Sequence, residues 1–200
     1  MVVSVDTLGS DYMNLFTENN IPSEFVSLES LDGLKEAITN LGEKFDKNEE
    51  AKALLEEIES KELEVKEKAE SLENPEVLVL FAAPGSTMIA TSKSYIGSLV
   101  ELVGGKNIIE DNSTSFTTYN KEDLAMLNPD KILVMVHAMP EETKAALEAE
   151  MASDSAWQNI NAVKDGNVIY LDSEYFGMSA KLNVIEGLDI LSDIVHGDGE

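Results

Sequence analysis

Residues 75–105 read PEVLVLFAAPGSTMIATSKSYIGSLVELVGG, and this stretch decides the fold. Val77–Phe81 is apolar without interruption. Such a run suits a strand covered on both faces, where no alternating polar position is needed. Pro84-Gly85-Ser86 supplies a turn, and Met88–Thr91 is a second short apolar run. A helix is expected from Ser94 to Val103, and the Gly104-Gly105 pair stops it.

The same grammar recurs further along the chain. Asn74-Pro75-Glu76 and Asn128-Pro129-Asp130 each introduce a continuous apolar strand, the second being Lys131–Val136. Helices are expected near 121–127, 141–151 and 184–195, a short helical or turn segment at 157–163, and a strand at 168–171. This alternation predicts an α/β lobe of three layers, Rossmann-like in kind. The tail from His196 to Glu200 is expected to fray.

Toward the N-terminus, Val2–Val5 is rich in β-formers and a helix follows with Leu8, Tyr12, Leu15 and Phe16 on one face. Asn19-Asn20 and Pro22 break it, and Glu24–Leu28 alternates as a strand. Ser30 is placed to cap a helix whose buried face is Leu31, Leu34, Ile38 and Leu41 and which Gly42 weakens. From Asn48 to about Glu73 the chain is dense in Glu, Lys, Ala and Leu. A helix there reaches on the order of 40 Å. Its apolar stripe is narrow (Ala51, Leu54, Leu55, Ile58, Val65, Ala69, Leu72), and Glu62–Lys66 and Glu64–Lys68 stand four apart as ion pairs. It reads as a rigid strut. The chain therefore divides into 1–30, a β-α-β remnant of an N-terminal lobe; 31–74, an inter-lobe helical region; and 75–200, the C-terminal lobe. The strands of the first part leave open edges, which predicts either a homodimer or poor order there.

Composition narrows the function. With 39 acidic and 14 basic residues the net charge is -25, so nucleic acid is excluded as a partner for want of clustered cations. Every basic residue is Lys, and the planar fork of Arg that grips carboxylates and phosphates is missing. No Cys is present, which excludes disulfides, thiolate metal sites and Cys nucleophiles. No run is long and apolar enough to span a membrane. Neither a signal peptide nor a lipid-attachment cysteine is seen, so any targeting segment is expected upstream of Met1.

His137 follows an apolar strand directly, at the end where open α/β sheets bind ligands. A lone His is more often structural, but imidazole at such a place is suited to iron. Only neutral imidazole ligates, so binding is expected to fall as the ring protonates. His196 lies in the tail and is a poor candidate. Met88, Met135, Met139 and Met178 fall near loops; thioethers ligate haem iron, yet Met is more often packing. Tyr95, Tyr175 and Phe176 either flank a flat apolar ligand or cover the sheet end. Ser86 lies in a turn that lacks the second Gly and the Lys-Ser/Thr pair of a phosphate loop. No GxSxG elbow appears, and Ser86, His137 and Asp172 make a triad only on paper. No enzyme and no catalytic cofactor are expected.

TSKSYIGSLVELVGGKNII, LNPDKILV, HAMPEE, AWQNINAVKDGNVIYLD and EYFGMSAKL occur in that order after the long helix. In this the chain resembles the iron and haem substrate-binding proteins of bacterial ABC importers, the helical-backbone class, and within it the haem-binding lipoproteins of Gram-positive bacteria. The resemblance implies two α/β lobes joined by one long helix, with ligand in the cleft between them. It implies an extracytoplasmic, membrane-anchored lipoprotein that carries haem or another iron complex to an ABC permease. Iron is then held by a His of the C-terminal lobe, which falls on His137, and a Met of the N-terminal lobe, which has no counterpart among the Met residues here. Tyr95, Met139, Phe176 and Met178 edge the cleft, with Ser86 and Lys93 nearby, and Glu122 is the acid that docks on the permease. A ferric siderophore or corrinoid is the alternative cargo, and an α/β enzyme fragment the alternative class.

Overall fold

The computed structural model describes residues 1–109 and 113–197. β1 (Val2–Val5) runs through a 3-10 turn at Asp6–Leu8 into α1 (Ser10–Glu18), and β2 (Ser23–Val26) returns parallel to β1 as a two-stranded sheet. Tyr12 and Phe16 of α1 meet Phe25 of β2 edge-on, with centroids 6.3 Å and 5.4 Å away. Leu8 and Leu15, expected on that face, are each 54% exposed because the small sheet leaves them nothing to pack on. The strand expected to reach Leu28 ends at Val26.

α2 (Leu31–Lys44) starts where Gly33 donates its N–H to the Ser30 hydroxyl at 3.0 Å. α3 (Asn48–Ala69) follows and stops four residues short of expectation, at about 33 Å long. Gly42 has a packing role in α2: it is buried, and a Cβ there would stand 2.5 Å from that of Ala51, so glycine lets the two helices touch. The buried stripe of α3 is Ala51, Ile58 and Val65. The intrahelical pairs Glu62–Lys66 and Glu64–Lys68 do not form. Glu62 reaches across to Lys35 and Lys68 to Asp193, partners that packing brings close, while Glu64 pairs within the helix with Lys61, three residues before it.

The second sheet runs β6-β4-β3-β7-β8, with β5 beside the start of β3. Its strands are β3 (Glu76–Ala83), β4 (Ser86–Ala90), β5 (Lys106–Asn107), β6 (Phe116–Thr117), β7 (Lys131–Val136) and β8 (Val168–Tyr170). β3 and β4 form an antiparallel hairpin, whereas β3, β7 and β8 are parallel. Between them run α4 (Tyr95–Leu102), α5 (Lys121–Leu127), α6 (Pro140–Ser153), α7 (Ser155–Asn159) and α8 (Asn161–Lys164), and α9 (Val184–His196) closes the chain. Val77, Val79, Leu133 and Met135 face a core shared with α3, α4 and α9. Leu78, Leu80, Ile132 and Val134 face a second core with Leu124, Leu147 and Trp157. Continuous apolarity thus serves both faces, and the three layers are present.

His196 belongs to the last turn of α9, not to a frayed tail: its ring N–H donates to the Val103 carbonyl at 2.6 Å. Lys131, almost fully buried, donates to the Ile194 carbonyl at 2.8 Å and to that of Gly197, capping the same helix end with a cation. The rest of the expected tail, Asp198 to Glu200, lies outside the described residues.

The Tyr170 hydroxyl is buried without a hydrogen-bond partner, and burial, with Glu148 nearby, pushes its pKa up to about 12. A free phenol titrates near 10. The native state therefore holds this proton more tightly, and the contribution is whole below about pH 10 and lost as pH rises through about 12. Tyr170→Phe removes the orphan hydroxyl. We expect urea unfolding at pH 8 to show equal or greater stability, by up to about 1 kcal/mol, and a smaller loss at pH 11 than in the parent. A variant that loses as much stability at pH 11 as the parent contradicts this.

Candidate functional site

Pairing in register sets the site. Phe81 lies beside Met135 in the β3–β7 ladder, and the His137 N–H extends that ladder by donating to the Ala82 carbonyl at 2.8 Å. With a side-chain period of two, Leu133, Met135 and His137 share the α4/α9 face of the sheet. The Phe81 ring stands between two partners, 5.2 Å from Phe116 and 5.5 Å from His137, and tilted 31° to the latter. The Phe81 plane is inclined 52° to that of Phe116, so the three rings form a faceted aromatic strip across the carboxyl edge of the sheet.

A cleft of about 420 Å³ opens on the strip, lined by Phe81, Met135, His137, Phe176, Met178 and Lys181 among others. A second hollow of about 320 Å³ adjoins it through Met178 and Ser179 and includes Thr7, Glu29, Ser94, Tyr95 and Phe116. The wall carrying Phe176 and Met178 is tied down at both ends. Glu174 donates its N–H to the Asp172 carboxylate at 2.8 Å, Lys181 Nζ donates to the Ser173 carbonyl at 2.7 Å, and the Ala180 N–H donates to the Leu28 carbonyl at 2.7 Å. Lys181 is the cation at this rim. Lys93, placed near the cleft from sequence, donates to the Ser113 carbonyl at 3.2 Å and is not among the residues lining the cleft or the adjoining hollow.

The candidates named from sequence separate into groups. His137, Phe176 and Met178 line one cleft. Tyr95 lies in the adjoining hollow with its ring in the core, 2% exposed, and burial raises its pKa well above the ordinary range. Phe176 is likewise almost wholly buried at 1%, so it supports the wall more than it covers it. Met139 is 54% exposed and is not among the lining residues of the cleft. Ser86 lines a third hollow with Thr87, Tyr119, Thr143 and Glu150, on the side of the second core. His137 and Ser86 thus serve different cavities on opposite faces, and no triad with Asp172 is assembled. Glu122 stands in the first turn of α5, its N–H bonded to the Asn120 side chain at 3.0 Å.

Phe81, Phe116 and Lys181 were missed from the sequence. Phe81 was legible in principle, being in step with Val77 and Val79 on the strand before the turn. Phe116 and Lys181 come from segments whose approach depends on tertiary packing. Among the described residues no group of three or more metal-ligating side chains converges, and His137 contributes an imidazole to the lining of the cleft.

The sequence matches the periplasmic binding protein family over residues 6–175. It is 34% identical over 198 residues to the high-affinity heme uptake system protein IsdE of Staphylococcus aureus strain Newman, spanning 98% of this chain and 68% of that protein. The fold is similar to an ABC transporter substrate-binding protein from Listeria monocytogenes EGD-e, with a TM-score of 0.91 and 35% identity over 99% of this chain and 77% of the other. It is similar also to S. aureus IsdE complexed with heme, with a TM-score of 0.88 and 33% identity over 97% of this chain and 76% of that one.

Truncating Phe176 to Ala is expected to cost about 3–5 kcal/mol in urea unfolding, as for a buried aromatic ring. A loss below about 1 kcal/mol would show that the ring is not a pillar of the cleft wall.

Proposed function

The chain belongs to the periplasmic binding protein family, and on that premise we propose that it is the substrate-binding component of an ABC importer whose cargo is haem, with His137 as an axial ligand of the iron. It carries its ligand outside the cytoplasm, performs no chemistry on it, and hands it to a permease. Residues 31–74 are the inter-lobe helical region and 75–200 the C-terminal lobe.

One observation carries the reading: a lone imidazole at the lip of an apolar, aromatic-lined cleft. A bare cation needs several donors arranged around it. Iron already ringed by a macrocycle needs only one or two more, from above and below its plane. His137 supplies one such donor, and Phe81 in the same cleft, with Phe116 in the adjoining hollow, offers apolar surface to the ligand. Lys181 at the rim suits one carboxylate of the cargo. The haem uptake protein to which the chain is similar supports the choice of haem over other iron complexes.

Two further roles belong to the same proposal. Glu122, exposed on α5, docks on basic residues of the permease, and the intact protein is held at the membrane by a lipid anchor. The β1–β2 edges, with Val2 39% and Val3 44% exposed, pair with a second copy of the chain. Sedimentation at increasing concentration is expected to show a dimer; a monomer throughout removes that part.

The test of cargo is a haem titration followed by visible absorbance, on the parent and on His137→Ala. We expect a saturable Soret shift in the parent and at least about tenfold weaker binding with an altered band in the variant. Identical spectra and affinity in both would remove His137 from the iron. No shift in the parent, with quenching of Trp157 fluorescence by a ferric siderophore instead, would replace haem as the cargo.

A further inference from the structure

The segment that presents His137 is strained. Ala138 and Met139 are consecutive non-glycine residues in the left-handed region, at φ of 63° and 45°. Each such residue is disfavoured by the approach of its Cβ to the backbone. Strain of this kind persists only where neighbouring contacts over-determine it. Pro140 then starts α6, and Met139 occupies its N-cap position without any side-chain cap.

What holds the turn comes from one residue inside the helix. Thr143 is 5% exposed. Its N–H donates to the Met139 carbonyl at 2.9 Å, which is the first bond of the helix. Its hydroxyl donates to the Ala138 carbonyl at 3.0 Å, one residue further back. A single residue thus ties both left-handed residues to the first turn of α6, Met139 through its backbone N–H and Ala138 through its hydroxyl. On the other side, the His137 N–H is fixed to β3 through the Ala82 carbonyl at 2.8 Å. The imidazole is carried between these two anchors, so its height over the cleft is set by the ladder behind it and by the Thr143 hydroxyl ahead of it.

We infer that Thr143 is a positioning residue for ligand binding: its hydroxyl holds the Ala138-Met139 turn and thereby aims His137 at the iron. The inference rests on His137 being the iron ligand. Thr143 does not line the cleft that His137 lines; its side chain reaches the separate hollow with Ser86 and Tyr119. Any effect of its substitution on the bound ligand therefore passes through the turn. Valine has the shape of threonine without the hydroxyl, and serine keeps the hydroxyl.

The experiment compares the parent, Thr143→Val, Thr143→Ser and His137→Ala by haem titration and by the visible and electron-spin spectra of the ferric complex. Thr143→Val is expected to bind about tenfold more weakly, the order of one lost buried hydrogen bond, with an axial-ligand signature displaced toward that of His137→Ala. Thr143→Ser is expected to restore both. Should Thr143→Val fail to fold, Thr143→Ala read in the same way takes its place, with the amide-to-Hα couplings of Ala138 and Met139 in the ligand-free protein reporting whether the left-handed turn relaxes. Parent-like affinity and spectra in Thr143→Val, while His137→Ala loses both, overturn the role of Thr143 alone. Parent-like spectra in His137→Ala overturn the iron-ligand reading and the positioning role with it.

Discussion

The parallel pairing of β3 with β7, from Val77 beside Lys131 to Ala82 beside Val136, is the constraint on which the rest of the molecule depends. Both strands are buried on both faces, so every residue must be apolar or bonded. The period of two then deals side chains to two cores. A slip of β3 by one residue would exchange Val79 for Leu80 beside Leu133 and send the side chains of β3 to the wrong helices. The same register brings the two strand ends to one edge, where Phe81 and His137 emerge side by side on the same face.

The helical layer on that face is organised by α3. Ala51, Ile58 and Val65 recur every seven residues, a narrow seam that suits a long helix lying across others. Lys61 with Asp189 and Lys68 with Asp193 join its flank to α9, each at 2.9 Å. Exposed pairs of this kind contribute little energy individually. In a chain of net charge -25 they nonetheless remove local repulsion at the places where two acidic helices must lie together. The far end of α9 is secured from inside, by Lys131 and His196 on backbone carbonyls. The strut and the closing helix are therefore both held to the sheet, and the cleft wall between Asp172 and Asn183 hangs from a fixed support.

The site concentrates what the rest of the fold avoids. Its turn is left-handed at two positions that are not glycine, and its histidine is exposed at the end of an otherwise buried strand. A receptor gains from this arrangement. A side chain held on a strained turn loses little freedom on binding, and the cost of ordering it is met during folding. The strip of Phe116, Phe81 and His137 adds aromatic surface beside that turn.

By itself the sequence determined the elements and their order. Uninterrupted apolar runs after Asn-Pro pointed to strands buried on both faces, Ser30 and Ser94 stood at real helix starts, and His137 was legible as a histidine at a strand end. These are local matters, read from spacing and from the backbone demands of single residues. Tertiary structure decided the rest, because it alone determines which faces meet. It moved Glu62 and Lys68 from partners on their own helix to partners on others, and made Gly42 a point of contact between two helices. It put Tyr95 into the core and Ser86 on the far side of the sheet. Above all it joined Thr143, six residues beyond His137, to the carbonyl of Ala138. No pattern of residue types announces that bond, since it exists only where a strained turn and a buried helix start are held together by the sheet beneath them.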